Sequence, residues 1–194
     1  MVGADQIKLQ DKDIFDAYNF KTFELTIHTG LLRIGANFNY DNSDVTLAIL
    51  AAGTPVRVKT PEGCSLHFEA LTEGSFTLTE DTSKSPTEDL NQWLINLHLV
   101  RQLIGAEARL IALFQLLVGE FGFRHKDTYS LPFWLSHARL AEMISTSRGT
   151  VTRQITYLRK NMDLSLDANQ GCLIISSRLM ELKLNELELP SNWK

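Results

Sequence analysis

The stretch that most constrains this chain runs from Ser136 to Lys160, SHARLAEMISTSRGTVTRQITYLRK. Its apolar residues recur at helical spacing in two short runs: Leu140, Ala141, Met143 and Ile144, then Val151, Ile155 and Leu158. Ser145-Thr146 break the pattern between them. Ser136 is placed to cap the first helix, and Ser147 or Thr146 the second. Ala141 falls where two such helices would cross, and a larger side chain there would push them apart. The opposite face of the second helix carries Arg148, Gly149, Thr152, Arg153, Thr156 and Lys160. This pattern reads as a helix-turn-helix whose second helix is built to lie in a DNA major groove.

The side chains suit that task. Arg148 and Arg153 are planar forks that can bond guanine O6 and N7 together, while Thr150 and Thr152 can reach phosphates or a thymine methyl. Ser147 would leave the positive end of a helix pointing outward, a seat for phosphate. Ser136, His137, Ser147, Thr150, Thr152 and Lys160 are the expected backbone-positioning contacts. From 121 to 160 the basic residues are Arg124, Lys126, Arg139, Arg148, Arg153, Arg159 and Lys160, opposed by Asp127 and Glu142 alone. The net charge of -4 does not exclude DNA, because it is unevenly placed: residues 1–90 balance at -7 and residues 91–194 at +3. The plain alternative is a solvated helix pair with surface arginines.

LSHARLAEMISTSRGTVTRQITYLR resembles the DNA-binding motif of the Crp/Fnr superfamily of bacterial transcription regulators. Ser147 to Arg153 is close to that family's recognition helix, and Leu135 to His137 is similar to the nitrogen-control branch of cyanobacteria. The resemblance covers residues 86–187 well and the N-terminal half in part. It implies Arg148 and Arg153 at base edges and His137 beside a DNA phosphate. The family usually has Glu or Val where this chain has Gly149, so its target sequence does not carry over.

Residues 21–84 read as β structure, with strands expected over Phe23–Ile27, Leu31–Phe38, Val45–Ala51, Val56–Lys59, Ser65–Ala70 and Ser75–Thr79, separated by turn residues. Residues 1–20 read as a short helix or an arm. Gly30 to Arg33, the polar turn at Asp41, and Thr46 to Leu50 followed by Gly53 look like the central hairpin of the family's jelly-roll sensor, here shortened. The family's phosphate cassette, a Gly-Glu pair followed by Arg-Ser or Arg-Thr, does not follow Gly53, which argues against cyclic nucleotide. A β domain kept for packing or dimerisation, with no small ligand, is the alternative. The effector, if any, is unknown.

Ser85-Pro86-Thr87-Glu88 forms a capping box that opens a long helix. Leu90, Trp93, Leu97, Val100 and Ile104 follow at spacings of 3, 4, 3 and 4, a coiled-coil seam for a second copy of the chain or an inward face of a single-chain core helix. The resemblance favours dimerisation. Gly105 is placed as a hinge before a second helix from Ala106 to Phe121, closed by Gly122. A polar turn, Arg124 to Asp127, precedes a β segment at Tyr129–Trp134. Leu164–Leu166 and Cys172–Ile175 flank Asp167–Gly171 as the hairpin of a winged helix, and a last helix spans about Ser177 to Leu187.

No run reaches the ~18 apolar residues of a membrane helix, and the N-terminus lacks an apolar signal core, so a cytoplasmic location is expected. Cys64 and Cys172 are too few for a four-thiolate cluster, and the five histidines show no metal spacing. No metal, cofactor or catalytic grouping is expected. The fold expected is α+β: a truncated jelly-roll-like β-rich domain over 1–85, a dimerisation helix over 86–105, and a winged helix-turn-helix over 106–194. The function expected is a homodimeric regulator that binds double-stranded DNA at an inverted repeat and contacts or blocks RNA polymerase. The alternative is a small-ligand sensor or protein-interaction module that keeps a winged helix without productive DNA binding.

Overall fold

The computed structural model describes residues 6–17, 20–38, 43–53, 55–80, 89–169 and 171–182. The chain divides into two compact units, Met1–Ile95 and Asn96–Lys194.

Among its described residues the first unit contains eight strands: β1 (Ile7–Leu9), β2 (Ile14–Asp16), β3 (Thr22–Thr29), β4 (Leu31–Phe38), β5 (Asp44–Ala51), β6 (Val56–Lys59), β7 (Cys64–Ala70) and β8 (Gly74–Glu80). They form two antiparallel sheets, ordered β1-β8-β3-β6 and β2-β7-β4-β5. Period-two alternation turns one side of each strand inward. Phe23, Leu25 and Ile27 of β3 and Phe76 of β8 are buried from one sheet; Leu32, Ile34 and Ala36 of β4 and Leu66, Phe68 and Ala70 of β7 are buried from the other. Phe68 packs on Phe23 and Phe76 at centroid distances of 5.8 and 5.6 Å, with Phe15 against both Phe68 and Phe76. Aromatic rings therefore fill the sandwich interior.

The six strands expected between 21 and 84 are all present. Residues 1–20 differ: instead of a helix or arm, β1 pairs with β8 and β2 with β7. Three-residue strands are too short to show a period. They form because a neighbouring edge offers unpaired backbone groups. The polar turn near Asp41 and the capping box at 85–88 lie outside the described residues.

Helix α1 (Asp89–Gln102) crosses the boundary of the two units. Trp93, Leu97 and Val100 are buried in the single chain, Leu90 is half-buried, and of the five seam residues Ile104 stands exposed at 52%. The helix's own exposed apolar side chains are Leu94, Ile95 and Leu99, at 41%, 52% and 41%. The seam read from heptad spacing is thus largely turned inward. Spacing marks an apolar face, and does not tell burial by the chain itself from burial by a second copy.

The second unit continues with α2 (Ala106–Phe121), β9 (Phe123–His125), β10 (Thr128–Leu131), α3 (His137–Met143), α4 (Arg148–Lys160), β11 (Leu164–Asp167), β12 (Cys172–Ser176) and α5 (Ser177–Glu181). α2 has the bounds its periodicity predicts, and the Gly122 N–H closes it on the Val118 carbonyl. The wing hairpin β11–β12 joins a four-stranded sheet ordered β11-β12-β10-β9. β9 corrects the expected plain turn at 124–127: Arg124 and His125 are already paired to Tyr129 and Thr128, and the reversal is confined to Lys126, at φ 48°, and Asp127. The last helix is described only to Glu181, and residues 183–187 of the expected span lie outside the description.

Candidate nucleic-acid interface

The helix-turn-helix forms as its sequence dictates. Ser136 Oγ accepts the Arg139 N–H at 3.2 Å and starts α3; Ser147 Oγ accepts the Thr150 N–H at 3.1 Å and starts α4. The second cap is therefore Ser147 and not Thr146. Ser145 makes the sharp turn with φ 51°, and the Thr146 N–H bonds the Ala141 carbonyl at 2.9 Å. Leu140, Ala141, Met143 and Ile144 are buried, as are Val151, Ile155 and Leu158 of α4. Rooted by those three, α4 leaves Arg148, Thr152, Arg153, Thr156, Arg159 and Lys160 exposed, with Thr150 half-buried at its first turn.

Two hydrogen-bonded groups organise that surface. In the first, Ser147 Oγ and Thr150 Oγ1 are 2.9 Å apart, and Arg153 Nη2 donates to Thr150 Oγ1 at 3.2 Å. The Arg153 fork is thereby drawn over the first turn of α4. In the second, Thr152 Oγ1 donates to the Arg148 carbonyl at 2.9 Å and lies 2.9 Å from His137 Nδ1. Ser136 stands beside this group as a cap, and Lys160 sits at the other end of α4. Burial first, then the positive charges of Arg159 and Arg148, hold the His137 pKa below the usual histidine value.

Several contributors leave no signal in the sequence. The Arg159 guanidinium lies over the Trp134 ring, 5.7 Å from its centroid, and that ring meets His137 edge to face at 6.0 Å. Arg101 Nε donates to the Met143 carbonyl at 2.9 Å, and its Nη2 pairs with Glu142 Oε1 at 3.3 Å. Arg109 Nε donates to the Leu103 carbonyl at 2.8 Å, and its Nη1 to the Ile144 and Ser145 carbonyls, both at 3.3 Å. Two arginines from either side of Gly105 (φ 86°) thus occupy the carbonyls that end α3. The contacts of Arg101 and Arg109 with residues 142–145, and of Arg159 with Trp134, join residues far apart in sequence and leave no local pattern to read.

At the far end of α4, Asp163 is buried and accepts from Ser176 Oγ at 2.8 Å and Arg178 Nε at 3.0 Å, with Arg178 Nη2 on its other oxygen. Burial alone would raise the Asp163 carboxyl; the bonds from Arg178 and Ser176 and the Arg178 charge outweigh it and leave the pKa lowered. This ties α4 to the wing strand β12 and to α5.

No protein-family model matches the sequence, and no curated protein matches it. Solved structures do match along nearly its whole length. FixK2 from Bradyrhizobium japonicum superposes on 98% of this chain and 100% of its own, at a TM-score of 0.67 and 14% identity. A mutant of CooA from Carboxydothermus hydrogenoformans covers 94% of this chain and 87% of its own, at 0.66 and 20% identity. A transcriptional regulator of the CRP/FNR family from Thermus thermophilus covers 94% and 96%, at 0.60 and 17% identity. The chain has the fold of the CRP/FNR regulators. Among the described residues no helix is long and apolar enough to cross a membrane.

Proposed function

We propose that the chain is a dimeric, sequence-specific DNA-binding transcription regulator of Crp/Fnr type. The observation that carries this reading is α4: three buried side chains root it, and its open face presents Arg148, Thr152, Arg153, Thr156 and Lys160. A solved structure of the same fold is a transcriptional regulator, which supports it. Arg148 and Arg153 read base edges, and Ser136, His137, Ser147, Thr150, Thr152 and Lys160 set the backbone. Residues 1–85 act as the sensor-like domain, 86–105 as the dimer helix and 106–194 as the reader. Leu94, Ile95 and Leu99 form the apolar face offered to a second copy. Two α4 helices about 34 Å apart then address an inverted repeat, and the bound dimer recruits or obstructs RNA polymerase. Cyclic nucleotide plays no part: the sequence after Gly53 lacks the phosphate cassette, and aromatic rings occupy the sandwich interior.

Selection from a random duplex pool tests the reading, run beside Arg148→Ala and Arg153→Ala. An enriched inverted repeat, lost in both variants, is the expected result. Enrichment that survives both substitutions would move base readout away from α4, and no enrichment from a folded dimer would defeat the DNA reading.

A further inference from the structure

His137 opens α3 and rests against α4, and the direction of its bond to Thr152 is fixed by Thr152's own chemistry. A threonine hydroxyl has one proton, and Thr152 gives it to the Arg148 carbonyl at 2.9 Å. Its oxygen can therefore only accept from His137 Nδ1, 2.9 Å away, so Nδ1 carries a proton. In a neutral imidazole that leaves Nε2 with a lone pair and nothing to donate. Nε2 is not among the buried polar atoms left without partners, and no hydrogen bond engages it among the described residues. The first helix of a helix-turn-helix crosses the DNA backbone, whose phosphate oxygens only accept. A neutral His137 presents lone pair to lone pair there; a protonated one presents N–H.

We propose that His137 is a proton-gated phosphate ligand: each subunit takes up as much as one proton at Nε2 as it binds DNA, so affinity rises as pH falls. The inference rests on the DNA-binding reading above. The charged groups acting on the ring are Arg159, stacked on the intervening Trp134, and Arg148; both favour the neutral form in the free chain, after burial. Trp134 brings no charge, and the remaining titratable groups of the two helices are Arg139, Glu142, Arg153, Tyr157 and Lys160. A phosphate set against the ring reverses that balance and raises the bound pKa above the free one. Affinity then climbs as pH falls from the bound value to the free value and levels off below it. The slope is at most about tenfold per pH unit for each bound subunit.

The test uses the full chain and the duplex that selection enriches. Affinity is measured from about pH 6 to 8 at fixed salt, and protons taken up are counted by calorimetry in two buffers of different ionisation enthalpy. The wild type is expected to take up a fraction of a proton per subunit that depends on pH. His137→Gln donates an amide N–H at every pH and should show a flat profile with no uptake. Thr152→Val removes the acceptor that fixes the tautomer, lets the neutral ring carry its proton on Nε2, and should flatten the slope with His137 still present. Tight binding without proton uptake, or equal uptake by His137→Gln, overturns the proposal; a Thr152→Val slope as steep as wild type overturns its tautomer basis. A wild type that binds no duplex at all is a different result, and removes the DNA reading together with this one.

Discussion

Arg33 is the side chain whose loss the first unit should tolerate least. It lies on the side of β4 turned away from the aromatic interior, yet it is 0% exposed. Its Nη2 donates to Asp44 Oδ1 at 2.5 Å, Nη1 to Glu69 Oε2 at 3.1 Å, and Nε to Thr46 Oγ1 at 2.8 Å. Nη1 is also 3.1 Å from His67 Nε2, and Gly35 lies so close to the ring that any Cβ there would strike it. Arg33→Met keeps much of the length and removes the cation that two carboxylates share. Breaking a buried ion pair from one side costs about 3–5 kcal/mol. Asp44 and Glu69 keep 32% and 21% of their side-chain surface, so water relieves part of the loss and the lower end applies. Urea denaturation, with hydrogen exchange at the β4 and β7 amides, reads the effect; about 3 kcal/mol is roughly a hundredfold faster global exchange. Adding Asp44→Asn and Glu69→Gln should restore at least half, because the damage lies in the carboxylates left behind. A single variant costing under about 1 kcal/mol, or a triple variant no better than the single, would refute this account.

Asp163 gives the second unit an acid-sensitive tie. Its folded pKa is depressed, so its contribution is full above the unfolded value, 3.8, and disappears as pH falls through the folded one. Asp163→Asn should cost about 1–3 kcal/mol near neutral pH, and the gap should narrow as the solution is acidified below 3.8; a thermal-melting gap that does not narrow with acid would contradict this. Arg109→Ala should loosen the helix-turn-helix turn, since the Ile144 and Ser145 carbonyls lose this donor, and Leu103 loses it outside the turn; exchange at the amides of 145–148 should rise, and Arg109→Lys should restore little because a point charge cannot span these acceptors. Unchanged exchange in that turn would show that the clamp contributes nothing.

Local patterns carry what is legible in the sequence. Helical spacing and serine caps locate α3 and α4, and β-branched runs between glycine turns locate β3 to β8, because each pattern repeats several times within its own element. β1, β2 and β9, at three residues each, are not legible: a neighbouring strand, distant in sequence, completes them. The same holds at the candidate site. The exposed face of α4 follows from the burial of Val151, Ile155 and Leu158, whereas the bond between His137 and Thr152, the stack of Arg159 on Trp134 and the arginine clamp on α3 depend on contacts that composition does not encode. For α1, spacing identifies an apolar face without telling which neighbour covers it.

Gly149 is where the sequence pattern and the structure together make the sharpest demand. It is exposed in the first turn of α4, and a Cβ built there would meet only Ser147 Oγ, at 3.9 Å. Packing therefore does not require glycine at this position. Gly149→Glu should stabilise α4: glycine costs about 1 kcal/mol relative to alanine in a helix, and an acid in the first turn gains about 0.3–1 kcal/mol. The same carboxylate, set between Arg148 and Arg153, opposes the phosphate backbone while offering an acceptor to a cytosine amino group. The variant should therefore melt higher, bind random duplex more weakly with a shallower salt dependence, and enrich a different inverted repeat from the selected pool. Enrichment of the wild-type repeat by the Glu variant, at equal affinity, would mean that position 149 faces no base, and that α4 lies in the groove in another orientation.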